Sequence, residues 1–283
     1  MNKILSKQQL SDEVFRMEIE APHIARERKA GQFIILQVND DFGERIPLTI
    51  ADANLARGSI TLIFQTVGRT THLLAEKSVG DTIPALLGPL GRPTHVEKVS
   101  RVVCVGGGIG VAPMHPIAQA FKAAGSRVTI IMGARNKSLL IMEDEMRALA
   151  DELIITTDDG SAGRKCLVTE PLKELCESPE KKPDVCIAIG PPIMMKFCAL
   201  TTKPYNVRTL VSLNTIMVDG TGMCGGCRVV VGGKTKFVCV DGPEFDGHQV
   251  DWDNMMKRMR AYKPREDADH HACHLEAEAR SLQ

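Results

Sequence analysis

The stretch from Asp219 to Cys239 constrains this chain more than any other. It reads Asp-Gly-Thr-Gly-Met-Cys-Gly-Gly-Cys and then, past a short strand and turn, Phe-Val-Cys, a spacing of Asp-x4-Cys-x2-Cys-x11-Cys. Loops that wrap two irons use Cys-x4-Cys-x2-Cys with a distant fourth cysteine. Here Asp219 takes the first position, and since a carboxylate also ligates iron, Asp219, Cys224, Cys227 and Cys239 make a full donor set for a [2Fe-2S] cluster. Gly220, Gly222, Gly225 and Gly226 supply the backbone freedom such a loop needs. The same residues also suit tetrahedral zinc, or merely structural cysteines. Zinc knuckles usually bring a second paired motif, however, and Cys239 stands alone, which favours iron–sulfur.

Composition narrows the setting. With 283 residues, 43% of them apolar, the chain holds a full core and about two domains. The formal charge is zero and the isoelectric point about 7.1, so neither nucleic acid nor an anionic membrane is an expected partner. No apolar run approaches the roughly 18 residues of a membrane span, and Met1-Asn2-Lys3 leads into polar sequence without a signal-peptide core. Nine cysteines are spread without a disulfide-like framework. Reduced thiols in a cytoplasmic protein, three of them reserved for a metal centre, are the expectation.

Residues 1–98 read as β. Apolar runs at Val14–Ile19, Phe33–Val38, Ile60–Thr66 and Thr82–Leu87 recur between glycine-, proline- and aspartate-rich turns, the rhythm of a small antiparallel barrel. Glu44–Thr49, Val67–Thr71 and Gly88–Gly91 read as unusual loops. The period changes over residues 99–215. Arg101–Val105 is a buried strand, Gly106-Gly107-Gly108-Ile109-Gly110-Val111-Ala112-Pro113 follows it, and Met114–Ala124 reads as a helix ending at Gly125. Strand, glycine turn and helix is the layout that receives a pyrophosphate on backbone amides, although Val111 fills the third glycine slot of the dinucleotide fingerprint. Strands at Val128–Met132, Leu153–Thr156, Val185–Ile189 and Arg208–Leu213 continue the alternation and predict a doubly wound parallel sheet with its ligand loops at the strands' carboxyl ends.

Beyond Cys239, Val240–Gly247 reads as a turn-rich cover, and Met255–Met259 as a short helix ended by Tyr262-Lys263-Pro264. His270, His271, Cys273 and His274 look like metal donors, but four of them in five positions do not easily face one ion, so a solvated or partner-bound tail is expected. Residues 216–283 are too few and too polar to bury a strong core alone. They predict a partner surface, with Met217, Met223, Met255, Met256 and Met259 offering adaptable apolar contacts.

A barrel, then Gly-Gly-Gly-Ile-Gly-Val-Ala-Pro, then a carboxy-terminal loop ending Cys-Val-Asp-Gly-Pro-Glu-Phe: in this order nearly the whole chain resembles the ferredoxin–NADP reductase superfamily. Two of its branches are similar throughout. One comprises the electron-transfer subunits of dihydroorotate dehydrogenase, which place four cysteines around the cluster. The other comprises the small subunits of NADH-dependent ferredoxin–NADP oxidoreductase, which place an aspartate where Asp219 stands. Asp219, the Ser212-Leu213-Asn214 lead-in and the long tail favour the second.

The resemblance implies three units: an FAD-binding β-barrel over 1–98, an NAD(P)-binding domain over 99–215, and a [2Fe-2S] domain with a partner-contacting tail over 216–283. FAD would lie along Pro47, Leu48 and Thr49, with Ile63, Phe64 and Gln65 beside it and Thr70 and Thr71 at its pyrophosphate. Gly88, Pro89, Leu90 and Gly91 would form part of the flavin wall. Arg45 would clamp a phosphate, although it precedes Thr49 by four residues where Arg-x-x-Ser has three. Gly107, Gly108, Ile109, Gly110, Ala112 and Pro113 would hold the nicotinamide cofactor's pyrophosphate, with Arg135 and Asp159 further along it. Gly190, Pro191, Pro192 and Met194 would border the nicotinamide, where Ile189 replaces a cysteine often seen before that Gly-Pro.

No side chain is implied as acid, base or nucleophile, because FAD takes the hydride directly and converts two-electron to one-electron transfer. In the second branch the cluster links this FAD to a second flavin on a large flavin and iron–sulfur subunit, whose electrons from NADPH split between ferredoxin and NAD. The implied partner is therefore that subunit, in a heterodimer, with ferredoxin reached only through it. NAD(H) is the implied nicotinamide, and NADP(H) the alternative if Arg135, Lys137 and Arg164 receive a 2′-phosphate. The runner-up function is the dihydroorotate dehydrogenase partner. A zinc-stabilised nucleotide-binding regulatory module is the reading from another class.

Overall fold

The computed structural model describes residues 2–39, 43–263 and 266. The amino-terminal part is a sheet that closes because of one proline. Strands β1 (Asn2–Ser11) and β2 (Val14–Glu20) form a hairpin, helix α1 (Pro22–Glu27) follows, and β3 (Phe33–Gln37), β4 (Arg45–Asn54) and β5 (Ser59–Gln65) continue it. After helix α2 (Arg69–Glu76) come β6 (Thr82–Ile83) and β7 (Ala85–Leu90), which Pro84 alone separates. All pairings are antiparallel, in the order β6-β1-β2-β5-β4-β3-β7. The two edge strands are thus neighbours in sequence, so the sheet curls into a nearly closed barrel around Met17, Ile34, Leu36, Leu62 and Phe64.

Two strands escape the apolar pattern. In β1 only Ile4 is fully buried, so its sequence reads as polar. The supposed loop Glu44–Thr49 lies largely within β4, whose Pro47 pairs with Ile35 of β3 while pairing with β5 begins only at Ile50. Proline is tolerated there because no partner strand on that side asks for its missing N–H. Gly88 to Leu90 likewise belong to β7, and Val67-Gly68 lead into α2.

Residues from 101 build the second sheet from β8 (Arg101–Gly107), α3 (Val111–Ala123), β9 (Arg127–Ala134), α4 (Glu143–Leu149), β10 (Glu152–Thr157), β11 (Arg164–Lys165), α5 (Thr169–Glu177), β12 (Val185–Ile189), α6 (Pro192–Thr202) and β13 (Arg208–Ser212). These strands are parallel, in the order β11-β10-β9-β8-β12-β13. Both faces are covered. Val102 and Cys104 of β8 pack toward α3, while Val103 and Val105 point to the layer of α5 and α6, which is why the strand reads as an unbroken apolar run. No helix among the described residues is long and apolar enough to cross a membrane.

The carboxy-terminal segment contains the hairpin β14 (Arg228–Val231) and β15 (Lys234–Phe237), the turn of helix α7 (Val238–Asp241), β16 (Glu244–Asp246) and α8 (Trp252–Met259). The stretch read as a turn-rich cover therefore contains a strand: β16 adds antiparallel to β13 at the sheet edge, with Val211 opposite Phe245. The amphipathic pattern of α8 explains its docking, since Trp252 and Met255 are buried and Asp251 accepts the Asn254 amide at its N-cap. His270, His271, Cys273 and His274 lie outside the described residues.

Glu244 ties the three parts together. Its carboxylate accepts a hydrogen bond from Thr94 Oγ1 at 2.7 Å, on the linker between barrel and parallel sheet. Burial pushes its carboxyl up to about 7, outweighing the Thr94 bond and Arg208. A group raised in the folded state destabilises that state as pH rises from its unfolded value near 4.5 to its folded value near 7. Glu244→Gln keeps a partner for Thr94 without the charge. It should match the wild type in unfolding free energy near pH ~4.5 and exceed it by roughly 3 kcal/mol at pH ~8. A constant gap between the two proteins across that range would refute the assignment.

Candidate functional site

In the parallel sheet the winding reverses between β8 and β12, and a crevice opens at the carboxyl ends of those two strands. From β8 a 3-10 turn over Gly108–Gly110 leads into α3, and from β12 Gly190-Pro191 leads into α6. The two turns touch. A Cβ on Gly110 would stand 2.2 Å from the carbonyl oxygen of Ile189, so only glycine permits this approach. Gly108 instead has φ +54 and nothing within 4 Å of where its Cβ would be, which leaves its backbone facing open space. A bound phosphate needs such a surface.

That space is a cavity of about 770 Å³ between barrel and parallel sheet. Of the residues singled out from sequence, it brings together Pro47, Thr49 and Gln65 from the barrel with Gly107, Gly108, Ile109, Gly110, Pro113, Arg135, Gly190, Pro191 and Met194. Ile63 packs into the junction of barrel and sheet, whereas the Phe64 side chain fills the barrel core and offers a ligand only its backbone. Leu48 packs on that core, Ala112 is buried in α3, and Pro192 begins α6. Arg45 is exposed and donates to Gln37 Oε1. Thr71 is committed locally: its hydroxyl accepts from the Val67 and Gly68 amides and donates to the Gly68 carbonyl. Thr70 donates to the Glu44 carboxylate.

The cavity also holds a residue that sequence reasoning passed over. Thr215 is 8% exposed, lines the cavity, and its hydroxyl has no hydrogen-bond partner. A buried orphaned hydroxyl costs about 1 to 3 kcal/mol, which a bound polar ligand would relieve. Nothing in the pattern Asn214-Thr215-Ile216 marks it. At the far end of the cavity stand Arg135 and Asp158, and Asp159 follows outside it. Hydrogen bonds from Ser161 hold the Asp159 carboxyl below its usual value. Arg164 makes a two-pronged surface ion pair with Glu174 at 2.7 and 2.5 Å, and it does not line the cavity.

The cluster loop begins just past Thr215. Asp219 Oδ1 accepts the Thr221 amide at 3.0 Å, and Oδ2 accepts those of Met223 at 3.0 Å and Cys224 at 2.8 Å. Burial alone would raise its carboxyl, but these amide bonds win and hold it below the usual range. Cys227 and Cys239 are buried with their sulfurs 3.2 Å apart, while Cys224 is exposed. Among the described residues no three His, Cys, Asp or Glu side chains gather as they would around one ion. Cys227 and Cys239 stand as a pair and the Asp219 carboxylate binds the Cys224 amide, so three thiols and a carboxylate on one loop fit a two-iron cluster. The loop also lies against the barrel: with φ +73, Gly220 would place a Cβ 2.7 Å from Leu90 and 2.8 Å from Ile35.

Comparison with known proteins agrees with this geometry. Residues 104–199 match the oxidoreductase NAD-binding domain, and residues 214–251 the iron-sulfur cluster binding domain of dihydroorotate dehydrogenase B. The dihydroorotate dehydrogenase B (NAD(+)) electron transfer subunit homolog of Thermotoga maritima is 48% identical, over 94% of this chain and 93% of its own. The electron transfer subunit of that enzyme from Desulforamulus reducens is 32% identical, over 89% and 97%. A solved chain of NADH-dependent reduced ferredoxin-NADP oxidoreductase superposes with a TM-score of 0.90 at 46% identity, over 96% of this chain and 97% of that one.

The fold and its two sites thus define a ferredoxin reductase-like oxidoreductase, a fold that binds FAD and NAD(P), with an iron–sulfur domain added. The chain belongs to the family of dihydroorotate dehydrogenase B electron-transfer subunits. Purified anaerobically, it should contain about two irons and two acid-labile sulfides, since that is the content of one cluster. Asp219→Ala should lose most of both while retaining FAD, whose site lies on the barrel. Stoichiometric zinc without sulfide, or a full cluster in the variant, would count against the donor set.

Proposed function

We propose that this chain is the NAD(H)-oxidising or NAD-reducing half of an electron-bifurcating NADH-dependent ferredoxin–NADP oxidoreductase. Asp219 carries this reading, because a carboxylate at the first ligand position distinguishes that branch from the four-cysteine one. The superposition on the bifurcating enzyme's chain, at 46% identity, is compatible with it, and the 48% identity to the Thermotoga dihydroorotate dehydrogenase subunit homolog is equally compatible with the other branch. When bound, FAD would exchange a hydride with the nicotinamide and the cluster would carry single electrons.

The residues' roles follow from their placement. Gly107 to Gly110 and the start of α3 receive the nicotinamide cofactor's pyrophosphate, while Gly190, Pro191 and Met194 confine its reactive end against the barrel. Pro47, Thr49 and Gln65 hold the flavin face, and Thr215 offers its free hydroxyl to whichever ring edge reaches it. Leu90 and Ile35 press on Gly220, so the wall of the flavin site is also the floor of the cluster loop.

The adenosine end favours NAD over NADP. A 2′-phosphate would meet Asp158 and Asp159 there, and of the cations that could offset them Arg164 is paired with Glu174, which leaves Arg135 against two carboxylates. Replacing Asp158 with asparagine removes one repulsion. It should narrow the preference for NADH over NADPH by roughly tenfold in kcat/KM, about 1.4 kcal/mol. An unchanged ratio would remove Asp158 from specificity.

A heteromeric partner is part of this reading, and the exposed apolar side chains mark where it docks. Of the five methionines expected on that surface, Met217 and Met255 are buried and Met256 and Met259 pack against the core, so only Met223, 89% exposed, remains. Ile216, Val218 and Val240 are exposed beside it. They lie about the cluster loop, which supports a partner docked next to the one-electron carrier.

Co-expression with the large subunit tests the whole. The complex should oxidise NADPH only when NAD and ferredoxin are both present. The second reading is favoured by the match of residues 214–251 and predicts dihydroorotate-dependent NAD reduction instead. Observing that activity, with no ferredoxin requirement, would overturn the proposal.

A further inference from the structure

Between Cys224 and Cys227 lie two peptide groups whose carbonyls accept hydrogen bonds from arginines. Arg228 Nη1 donates to the Gly225 carbonyl at 3.0 Å. The N–H of that same peptide, on Gly226, donates to Cys224 Sγ at 3.4 Å. One peptide unit is therefore held between a guanidinium and a ligand thiol. The next carbonyl, that of Gly226, accepts from Arg258 Nη2 at 3.3 Å. Arg258 comes from α8, 32 residues further along the chain, and the helix that carries it is firmly set. Asp251 caps it, its amide bonds the Val230 carbonyl, the Trp252 indole donates to the Gly247 carbonyl at 3.1 Å, and Met255 is buried. Neither arginine forms an ion pair among the described residues, although Arg92, Arg164 and Arg208 all do.

We propose that Arg228 and Arg258 are positioning residues for the iron–sulfur centre, polarising the Gly225 and Gly226 peptides and raising the cluster's reduction potential. The inference rests on Cys224 and Cys227 being cluster ligands. A two-iron cluster with three thiolates and one carboxylate is anionic and gains a further negative charge on reduction. Two fixed cations one peptide away favour the reduced form. A guanidinium on a carbonyl also strengthens the hydrogen bond made by the opposite N–H, because linked hydrogen bonds polarise one another. Hydrogen bonds to cluster sulfurs are a recognised means by which proteins set the potential. The contrary view is that the arginines only fasten two carbonyls of a tight loop. A fastening role needs the bonds, whereas the proposed role needs the charge.

The two roles separate in the full chain, purified with FAD and cluster, by a redox titration followed through the reduced cluster's paramagnetic signal. Iron and sulfide content are measured in parallel. Arg228→Gln and Arg258→Gln keep a donor but lose the charge. Each should retain about two irons and two sulfides, and each should titrate at a lower potential than the wild type. The expected size is a roughly threefold to tenfold rise in the oxidised-to-reduced ratio at the wild-type midpoint, tenfold being about 59 mV for one electron. The lysine variants, which keep the charge, should return most of that shift. An unchanged midpoint in both glutamine variants at full cluster content would overturn the proposal. So would loss of the cluster from both, which would reduce the arginines to structural clamps. Absence of iron and sulfide from the wild type would instead overturn the ligand reading beneath it.

Discussion

The contact on which the rest depends is the packing of Gly220 against Leu90 and Ile35. At 2.7 and 2.8 Å from a hypothetical Cβ, these side chains leave room only for a hydrogen, and the φ of +73 independently demands glycine. The contact joins β3 and β7 of the barrel to the first turn of the cluster loop. A single electron moves by tunnelling, so its rate depends on distance, whereas a hydride needs reacting atoms in contact. In the proposed function the crevice between β8 and β12 gives that contact to a nicotinamide, and the Gly220 junction gives the short path to the other carrier. Under that reading, moving the loop outward by one side chain's width would impair the traffic between the two carriers.

Much of this was legible in the residues. The parallel sheet announces itself because its strands are covered on both faces and so appear as continuous apolar runs; Val185–Ile189 agrees with β12 end to end. The glycine turn after β8 is visible for the same reason it is needed, since no other residue permits the approach to Ile189. What escaped was structure held by partners instead of by its own pattern. Strand β1 is polar and survives by pairing with β2 and β6, and β16 is three residues whose strand character comes from β13. Thr215 was invisible because its distinguishing property is the absence of a partner, which no local sequence encodes. The methionines erred the other way. Their flexible thioethers suit an interface, but they suit an irregular core equally, and Met217 and Met255 went inside.

The nine cysteines sort by chemistry as well as by position. Cys104 and Cys198 are pushed up to about 12 by burial in the parallel sheet and α6, and Cys186 well above its ordinary value. These are small apolar fillers, and the thiolate that binds iron is denied to them. Cys239 is also raised, first by burial and then by the sulfur of Cys227. The difference is that Cys239 has its second thiol at 3.2 Å, so a metal can repay both deprotonations at once. Cluster assembly at this loop therefore releases protons, and acid opposes it.

Asp219 then poses a question of capacity. A carboxylate has about four lone-pair sites, and three are taken by the amides of Thr221, Met223 and Cys224. One site on Oδ1 remains, enough for a single bond to iron. A cysteine thiolate in the same place would bind iron more softly but has only one atom to offer the three amides. The aspartate is thus the brace that shapes the turn ahead of Cys224, and it keeps a lone pair for the ligand role proposed for it. The brace works before any metal arrives, since against burial the amide bonds, joined by the Cys224 thiol, hold the carboxyl below its ordinary range. A loop that is already folded and already charged needs only the cysteines to give up their protons.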